Sequence, residues 1–195
     1  IALTDHGVMY GAVNFYKECV KEGIKPIIGC EVYVAPRSRF QKESGIDDDY
    51  AHLILLAKNK KGYENLIKLV SLGFVDGYYY KPRIDYKLLK DHSEGLVCLS
   101  GCLAGRVSKR LMQNDYEGAK EVALMLYDIF KDDFYLEIQD HNLPEQKKIN
   151  PLLIKLSKEL DIPLVATNDV HYLEREDAEM QDVVMCISMK KTIDD

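Results

Sequence analysis

Short apolar runs alternate with segments of helical spacing along this chain, and this alternation restricts the fold more than any other feature. The apolar runs are rich in valine, isoleucine and leucine, residues that pack well in strands. We predict strands in five of these runs: IIGCEVYV, HLILLA, GLVCLSG, FYLEIQ and PLVAT. The residues from Ile1 to Thr4 would be the end of a further strand. Strands separated by helices indicate an α/β fold with a mainly parallel sheet.

The segments between these runs carry helical signals. Val8, Ala12, Phe15 and Cys19 recur at helical spacing, and Gly23 would end the helix that contains them. Further helices are predicted over 61–72, 103–113, 116–131 and 144–160, and from about residue 175.

Local signals refine this plan. Asp115 is a candidate N-cap for the helix that follows it, and Pro151 would kink the helix that contains it. The polar stretch 37–50 and the glycine- and tyrosine-rich stretch 73–85 are predicted to be irregular.

Composition limits the functional classes. The 195 residues are enough for one domain with a sizeable core. No apolar run approaches the ~20 residues needed to cross a bilayer, so we expect no membrane span. The net charge of −6 does not indicate nucleic-acid binding by the chain as a whole, although a local basic surface is compatible with it. Five cysteines at irregular spacing, without a CxxC pair, argue against a disulfide framework and for a cytoplasmic location.

Candidate metal-binding side chains follow several predicted strands. In α/β folds, substrates and cofactors bind at the carboxyl ends of the strands. The candidate side chains are Asp5 and His6 after IALT, Glu31 in IIGCE, Cys102 after LVCLSG, Glu137 and His141 in FYLEIQDH, and Asp169 and His171 after LVAT. His52 stands at the start of HLILLA instead. It would join the others if CEVYV and HLILLA formed an antiparallel hairpin, which would return His52 towards Glu31.

Imidazole, carboxylate and thiolate groups are the ligands of zinc, manganese and iron. Two such ions about 3.5–4 Å apart can hold the attacking and leaving oxygens of a phosphoryl transfer. A bound ion can also lower the pKa of water to about 7. The residue types therefore indicate a centre of two or three divalent ions.

Each candidate also has a structural interpretation. His6 could start a helix that Asp5 caps, and Glu31 could pair with a nearby lysine. Cys102 could be a small buried apolar residue, and His52 a hydrogen-bonded strand histidine.

The Asp169–His171 pair is the strongest single signal, because residues i and i+2 beyond a strand point the same way. It could still be a hydrogen-bonded structural pair.

Lys81 and Arg83, in the tyrosine-rich stretch, could stack on or pair with a nucleotide. Tyr78, Tyr79 and Tyr80 would suit base stacking, but packing of this loop on the rest of the fold explains them equally well.

Seven motifs in this order make the chain resemble a known family: TDHG, GCEVYVAPR, HLILLAKN, GYYYKPRID, LSGCLAG, LEIQDHNLPEQ and VATNDVHY. They are similar to the PHP (polymerase and histidinol phosphatase) domain at the N-terminus of bacterial replicative DNA polymerase III alpha subunits. TDHG and NDVH indicate the PHP superfamily alone, whereas KPRID, LSGCLAG and DAEMQDVVMCI indicate its polymerase branch.

The resemblance implies a distorted (β/α)7 barrel of the PHP type, with up to three ions held by nine ligands at the strand ends. Six ligand positions match this chain: His6, Glu31, His52, Cys102, Asp169 and His171. It implies no ligand role for Glu137 or His141. The family's first motif, a His-x-His strand, would lie upstream of Ile1. We therefore expect an N-terminally incomplete PHP domain over residues 1–175 that lacks its first strand, and the start of a connection to the polymerase body over 176–195.

The implied activity is that of a metal-dependent phosphoesterase, specifically a proofreading 3′–5′ exonuclease. His6, Asp169 and His171 would be catalytic, two or three zinc, manganese or iron ions would be bound, and Lys81 and Arg83 would bind substrate. The expected partners are a DNA primer 3′ end and other replicative polymerase subunits. The alternatives are a non-catalytic structural or subunit-docking domain, and a phosphomonoesterase of the histidinol-phosphatase type.

Overall fold

The predicted alternation of strands and helices is the main feature of the computed structural model, which describes residues 1–194. Within these residues the strands are β1 (Ala2–Leu3), β2 (Ile27–Val34), β3 (Ala51–Ala57), β4 (Arg83–Ile84), β5 (Leu96–Leu99), β6 (Phe134–Ile138) and β7 (Leu164–Ala166). The α-helices are α1 (Ala12–Lys21), α2 (Lys60–Val75), α3 (Tyr86–Asp91), α4 (Arg106–Met112), α5 (Tyr116–Phe130), α6 (Pro144–Leu160) and α7 (Ala178–Met189). Short 3₁₀ turns precede β6 and α7.

All seven strands belong to one curled sheet with the order β1-β2-β3-β5-β6-β7, and β4 pairs with β2 beside this path. β3 runs antiparallel to β2 and β5, and the other pairings are parallel. The mainly parallel sheet is thus confirmed. The curled sheet and its helices form the partial α/β barrel that the resemblance implies.

The hairpin of β2 and β3 confirms the arrangement on which His52 depends. Its register pairs Glu31 with Ile54 and Tyr33 with His52. Because the strands are antiparallel, the start of β3 lies beside the carboxyl end of β2. His52 therefore reaches the same edge of the sheet as Glu31.

Alternation along the strands divides the sheet into two faces. Leu55, Cys98 and Phe134 are fully buried and belong to the core beneath the surrounding helices. Their sequence neighbours Leu56 and Tyr135 line the concave cavity on the other face. This is the two-residue period of a strand, and it carries every second side chain into the barrel interior.

Local capping agrees with the sequence signals. The Asp115 side chain accepts a hydrogen bond from the Gly118 N–H at 2.9 Å and caps α5, as predicted. Gly23 follows α1 at φ +69°, a conformation that favours glycine. Pro151 lies inside the continuous helix α6.

Two short elements were not predicted. β4 lies in the stretch expected to be irregular, and α3 follows it. The Asp85 side chain caps α3 by accepting from the Leu88 N–H at 2.9 Å. A helix of six residues is too short to show a clear helical period in sequence.

Arg83 requires a correction, because its burial argues against the predicted contact with substrate. It is fully buried, and its Nε–H donates to the Gly77 carbonyl at 3.0 Å. Its Nη atoms donate to the carbonyls of Asp47 and Gln41 at 2.5 and 3.0 Å. Arg83 is therefore an internal anchor for loop 37–50, which is free of helix and strand as predicted.

The last helix differs from the others in its exposure. None of the residues of α7 is buried. Within residues 1–194, no helix combines the length and apolar character that crossing a membrane requires.

Candidate metal centre

Four of the six residues predicted to bind metal line the concave cavity, which has a volume of about 1120 Å³: His6, Glu31, Asp169 and His171. His52 and Cys102 lie beside Glu31. The rings of His6 and His52 are 6.2 Å apart, and those of His6 and His171 are 5.4 Å apart. Glu31 lies within β2, and His52 lies near the start of β3. The other four residues follow β1, β5 or β7: His6, Cys102, Asp169 and His171.

Glu31 lies at the centre of this group. Its Oε1 is 2.7 Å from Nδ1 of His6 and 2.9 Å from Nδ1 of His52. The backbone holds the same contact, since the Glu31 N–H donates to the Asp5 carbonyl at 3.0 Å and the Gly7 N–H donates to the Glu31 carbonyl at 2.8 Å. The lysine partner considered for Glu31 is thus replaced by two histidines.

The electrostatics of this group follow from its hydrogen bonds. Burial alone would raise the pKa of Glu31, but the hydrogen bonds from His52 and His6 outweigh it and lower that pKa to about 2. The hydrogen bond with Glu31 in turn raises the pKa of His6 above its usual 6.5. Glu31 is therefore ionised at neutral pH and accepts from both rings.

Cys102 completes a compact donor group. Its Sγ lies 3.8 Å from His52 Nδ1, and burial raises the pKa of its thiol to about 11. Glu31, His52 and Cys102 each offer one ligand atom within 4.8 Å of the others. A carboxylate, an imidazole and a sulfur at this spacing fit a divalent ion such as zinc.

The glycine before Cys102 gives its turn the required shape. Gly101 has φ +83°, and a Cβ there would lie 2.9 Å from the carbonyl oxygen of His52. Only glycine adopts this conformation and this approach without strain. The close approach brings the Cys102 turn against the start of β3.

Asp169 and His171 lie on the loop after β7. Asp169 has a left-handed backbone with φ +47°, and its carbonyl accepts from His171 Nδ1–H at 2.8 Å. Its carboxylate charge contributes to the raised pKa of His6. The pair thus faces the histidine from β1 across the mouth of the cavity.

The helix-start interpretation of His6 is not supported, because α1 begins at Ala12 and its N-cap is Gly11. His141 also differs from the six converging residues. Its Nε2–H donates to the Asn168 carbonyl at 2.8 Å, and its Nδ1 accepts from the Gln146 amide at 3.1 Å. Both ring nitrogens of His141 therefore form hydrogen bonds within the protein.

Two tyrosines at the site were not singled out as site residues. The Tyr33 ring meets the His52 ring edge-on at 5.3 Å between centroids, and the Tyr50 ring stacks parallel to it at 6.2 Å. Tyr33 could have been found from its position two residues after Glu31, on the same face of β2.

Lys81 faces the site, whereas several other cations are held in ion pairs. Its Nζ lies 5.6 Å from the centroid of the Tyr33 ring, and its charge acts to lower the pKa of His6. The cations held in pairs include Arg37 with Asp47, Arg39 with Asp85, Lys58 with Asp133, Lys109 with Asp49 and Arg110 with Asp115.

The sequence model of the PHP domain family matches residues 1–141, so the chain belongs to the PHP domain family. The members of this superfamily are metal-dependent phosphoesterases. Along its whole length the chain is also 53% identical to DNA polymerase III subunit alpha of Treponema pallidum, of which it covers 17%. It is 50% identical to the corresponding subunit of Borreliella burgdorferi, over 96% of the chain and 16% of that protein. For the subunit of Thermus aquaticus the identity is 45%, over 100% of the chain and 16% of that protein. The chain thus spans about one sixth of the length of these relatives.

Proposed function

We propose that the chain is the PHP domain of a bacterial replicative DNA polymerase and acts as a metal-dependent 3′–5′ exonuclease on a primer end. The observation that carries this proposal is the donor group of Glu31, His52 and Cys102, whose ligand atoms lie within 4.8 Å of one another beside His6. The identity with DNA polymerase III alpha subunits over the whole chain supports the polymerase branch.

Six residues would hold two or three divalent ions of zinc, manganese or iron: His6, Glu31, His52, Cys102, Asp169 and His171. When bound, such ions activate water for attack on a phosphodiester and stabilise the charge that develops. His6, Asp169 and His171 would lie nearest the reacting phosphate.

The hydrogen bonds of the two exposed histidines, His6 and His171, favour metal binding through Nε2. Nδ1–H of His6 donates to Glu31, and Nδ1–H of His171 donates to the Asp169 carbonyl. In the neutral form of each ring the lone pair then belongs to Nε2. A ligating histidine is commonly oriented in this way by a partner on its other nitrogen.

Lys81 would bind a non-bridging oxygen of the substrate phosphate. It faces the site beside Tyr33, and its ammonium is near enough to His6 to oppose protonation of that ring. The substrate would be the 3′ end of a DNA primer, and other replicative subunits would contact the polymerase in the cytoplasm. Residues 1–175 would form the domain, and the exposed helix α7 would belong to the connection that follows.

Metal content by elemental mass spectrometry, together with hydrolysis of a mismatched primer, tests this proposal. The Asp169→Asn variant should bind less metal and lose hydrolysis. Asp161→Asn is a matched control, because Asp161 has a similar left-handed backbone at φ +54° but ends α6. It should keep both properties.

The outcomes separate the rival functions. Two or three ions per chain and metal-dependent release of the terminal nucleotide would support the exonuclease. Turnover of a generic phosphomonoester without attack on the primer would identify a phosphomonoesterase. Failure to bind metal in a folded chain would refute catalysis and leave a structural or docking domain.

A further inference from the structure

Glu137 is a buried carboxylate near the six candidate ligands that the proposed metal centre does not use. Glu137 lies in β6 and is 4% exposed. It occupies the central position of three neighbouring strands, since β6 pairs with β5 on one side and β7 on the other. Cys102 follows β5, and Asp169 follows β7. Glu137 therefore lies between the two strand ends that carry these candidate ligands.

Both carboxylate oxygens of Glu137 are engaged by donors from the flanking segments. Oε2 accepts from the Gly101 N–H at 3.0 Å, directly before Cys102. Oε1 accepts from the Thr167 hydroxyl, two residues before Asp169, and from the Gln139 amide at 3.0 Å. The backbone N–H of Glu137 donates to Ser100 Oγ at 2.9 Å, which adds a second link to the Cys102 turn.

We propose that Glu137 is a positioning residue that holds the Cys102 turn and the Asp169 strand end in one fixed geometry. This inference rests on the proposed metal centre. Glu137 itself would not touch an ion, because its oxygens accept from the protein's own donors.

A carboxylate can accept from all three side-chain and backbone donors at once, whereas a glutamine cannot. The donors converge on Glu137 from two sides, so both of its oxygens must accept. A glutamine has one acceptor and one donor group, and its NH₂ would face either the Gly101 N–H or the NH₂ of Gln139, which are both donors. The substitution Glu137→Gln therefore keeps the volume of the side chain and removes at least one of these hydrogen bonds.

The expected consequence is weaker metal binding through a displaced ligand. Residues that orient metal ligands typically change metal affinity by about 10–100-fold when they are substituted. Co²⁺ is a useful probe, because a sulfur-to-cobalt charge-transfer band reports a bond to the Cys102 thiolate. We expect Glu137→Gln to bind Co²⁺ about 10–100-fold more weakly, with a reduced band.

Asn65→Asp provides a matched control for loss of stability. Asn65 is also 4% exposed, and its amide donates to the Glu94 carbonyl at 2.8 Å between α2 and the turn before β5. The substitution Asn65→Asp replaces an amide by a carboxylate at a buried position away from the candidate ligands. Thr167→Ser and Thr167→Val test the hydroxyl itself, since serine keeps the hydroxyl donor and valine does not.

Amide hydrogen exchange at Gly101, measured by NMR on the metal-free chain, reports the link without any ion. Two results together would support the proposal. Gly101 exchange should be faster in Glu137→Gln than in the wild type and Asn65→Asp, and Co²⁺ binding by Glu137→Gln should be weaker. Co²⁺ affinity should be kept in Thr167→Ser and lowered in Thr167→Val. Unchanged Gly101 exchange, wild-type Co²⁺ affinity in Glu137→Gln, or an equal loss in Asn65→Asp would overturn it.

The same measurements distinguish failure of the metal centre from failure of this inference. If the wild type does not bind Co²⁺, the proposed metal centre is refuted. Faster Gly101 exchange confined to Glu137→Gln would then retain Glu137 as the link between the two segments. If the wild type does not bind Co²⁺ and Gly101 exchange is also unchanged in Glu137→Gln, both the metal centre and the positioning role of Glu137 are refuted.

Discussion

The stability of the metal-free chain should depend on pH through Glu31, and Glu31→Gln should remove most of that dependence. The Glu31 side chain is 4% exposed, and its Oε1 accepts from Nδ1 of His6 at 2.7 Å and of His52 at 2.9 Å. Burial opposes ionisation, but the two hydrogen bonds lower the pKa of Glu31 from 4.5 to about 2. The substitution keeps the volume of the side chain and removes the negative charge.

The magnitude follows from the difference between the folded and unfolded chain. A pKa that falls from 4.5 to about 2 on folding corresponds to roughly 3 kcal/mol of stability. Because the pKa is lowered, this contribution is complete above pH 4.5 and is lost as the pH falls towards 2. The pKa of His6 is raised above 6.5, chiefly by its hydrogen bond with Glu31, so its contribution is complete below pH 6.5 and is lost at higher pH. We expect maximal stability between about pH 4.5 and 6.5.

Urea denaturation in the presence of EDTA, across this pH range and on both sides of it, measures the effect. The wild type should exceed Glu31→Gln by roughly 3 kcal/mol near the maximum, and the gap should narrow towards acid and towards alkali. Glu159→Gln is a suitable control, because Glu159 forms a surface pair with Lys120, and surface pairs contribute little to stability. Parallel pH profiles of the wild type and Glu31→Gln would refute the reasoning.

Three further predictions follow from single residues. Zinc binding near neutral pH should release about one proton from Cys102, because its thiol has a pKa of about 11 and the ligand is the thiolate; calorimetry in buffers of different ionisation enthalpy should find this proton missing in Cys102→Ser. Gly101→Ala should lower thermal stability by about 1–3 kcal/mol more than Gly45→Ala, since both glycines have a similar positive φ but only at Gly101 would the added Cβ overlap a backbone atom, the His52 carbonyl oxygen at 2.9 Å. Phe134→Ala should cost about 3–5 kcal/mol in urea denaturation, because the ring is fully buried, and an unchanged midpoint would contradict its place in the core.

Six of the seven strands within residues 1–194 could be predicted, because their signals are local. β2 coincides with the run IIGCEVYV, and β3 extends HLILLA by one residue at its start. Every second residue of these runs meets the core, so hydrophobicity alone marks them. The convergence of Glu31 and His52 was also accessible, because a hairpin between adjacent strands needs only one assumption about their direction.

Contacts that depend on distant backbone could not be predicted in the same way. Arg83 lies in a tyrosine-rich stretch that suggests an exposed cation. Its guanidinium is nevertheless buried, because loop 37–50 supplies the carbonyls of Asp47 and Gln41 as acceptors. A sequence pattern carries no record of which carbonyls will be turned inward. Glu137 was left without a role for the same reason, since its donors come from three separate strands and turns.

The contact between the rings of His6 and His171 joins the two strands that are farthest apart in the sheet. His6 follows β1 and His171 follows β7, which stand at opposite ends of the strand order, yet their rings are 5.4 Å apart. A flat sheet would separate these residues by five strand spacings of about 4.8 Å each. The contact therefore exists only because the sheet curls, and the curl is a property of the whole sheet and its helices. It follows that the three-residue group of Glu31, His52 and Cys102 depends on local pairing, whereas the addition of Asp169 and His171 depends on the curvature of the barrel.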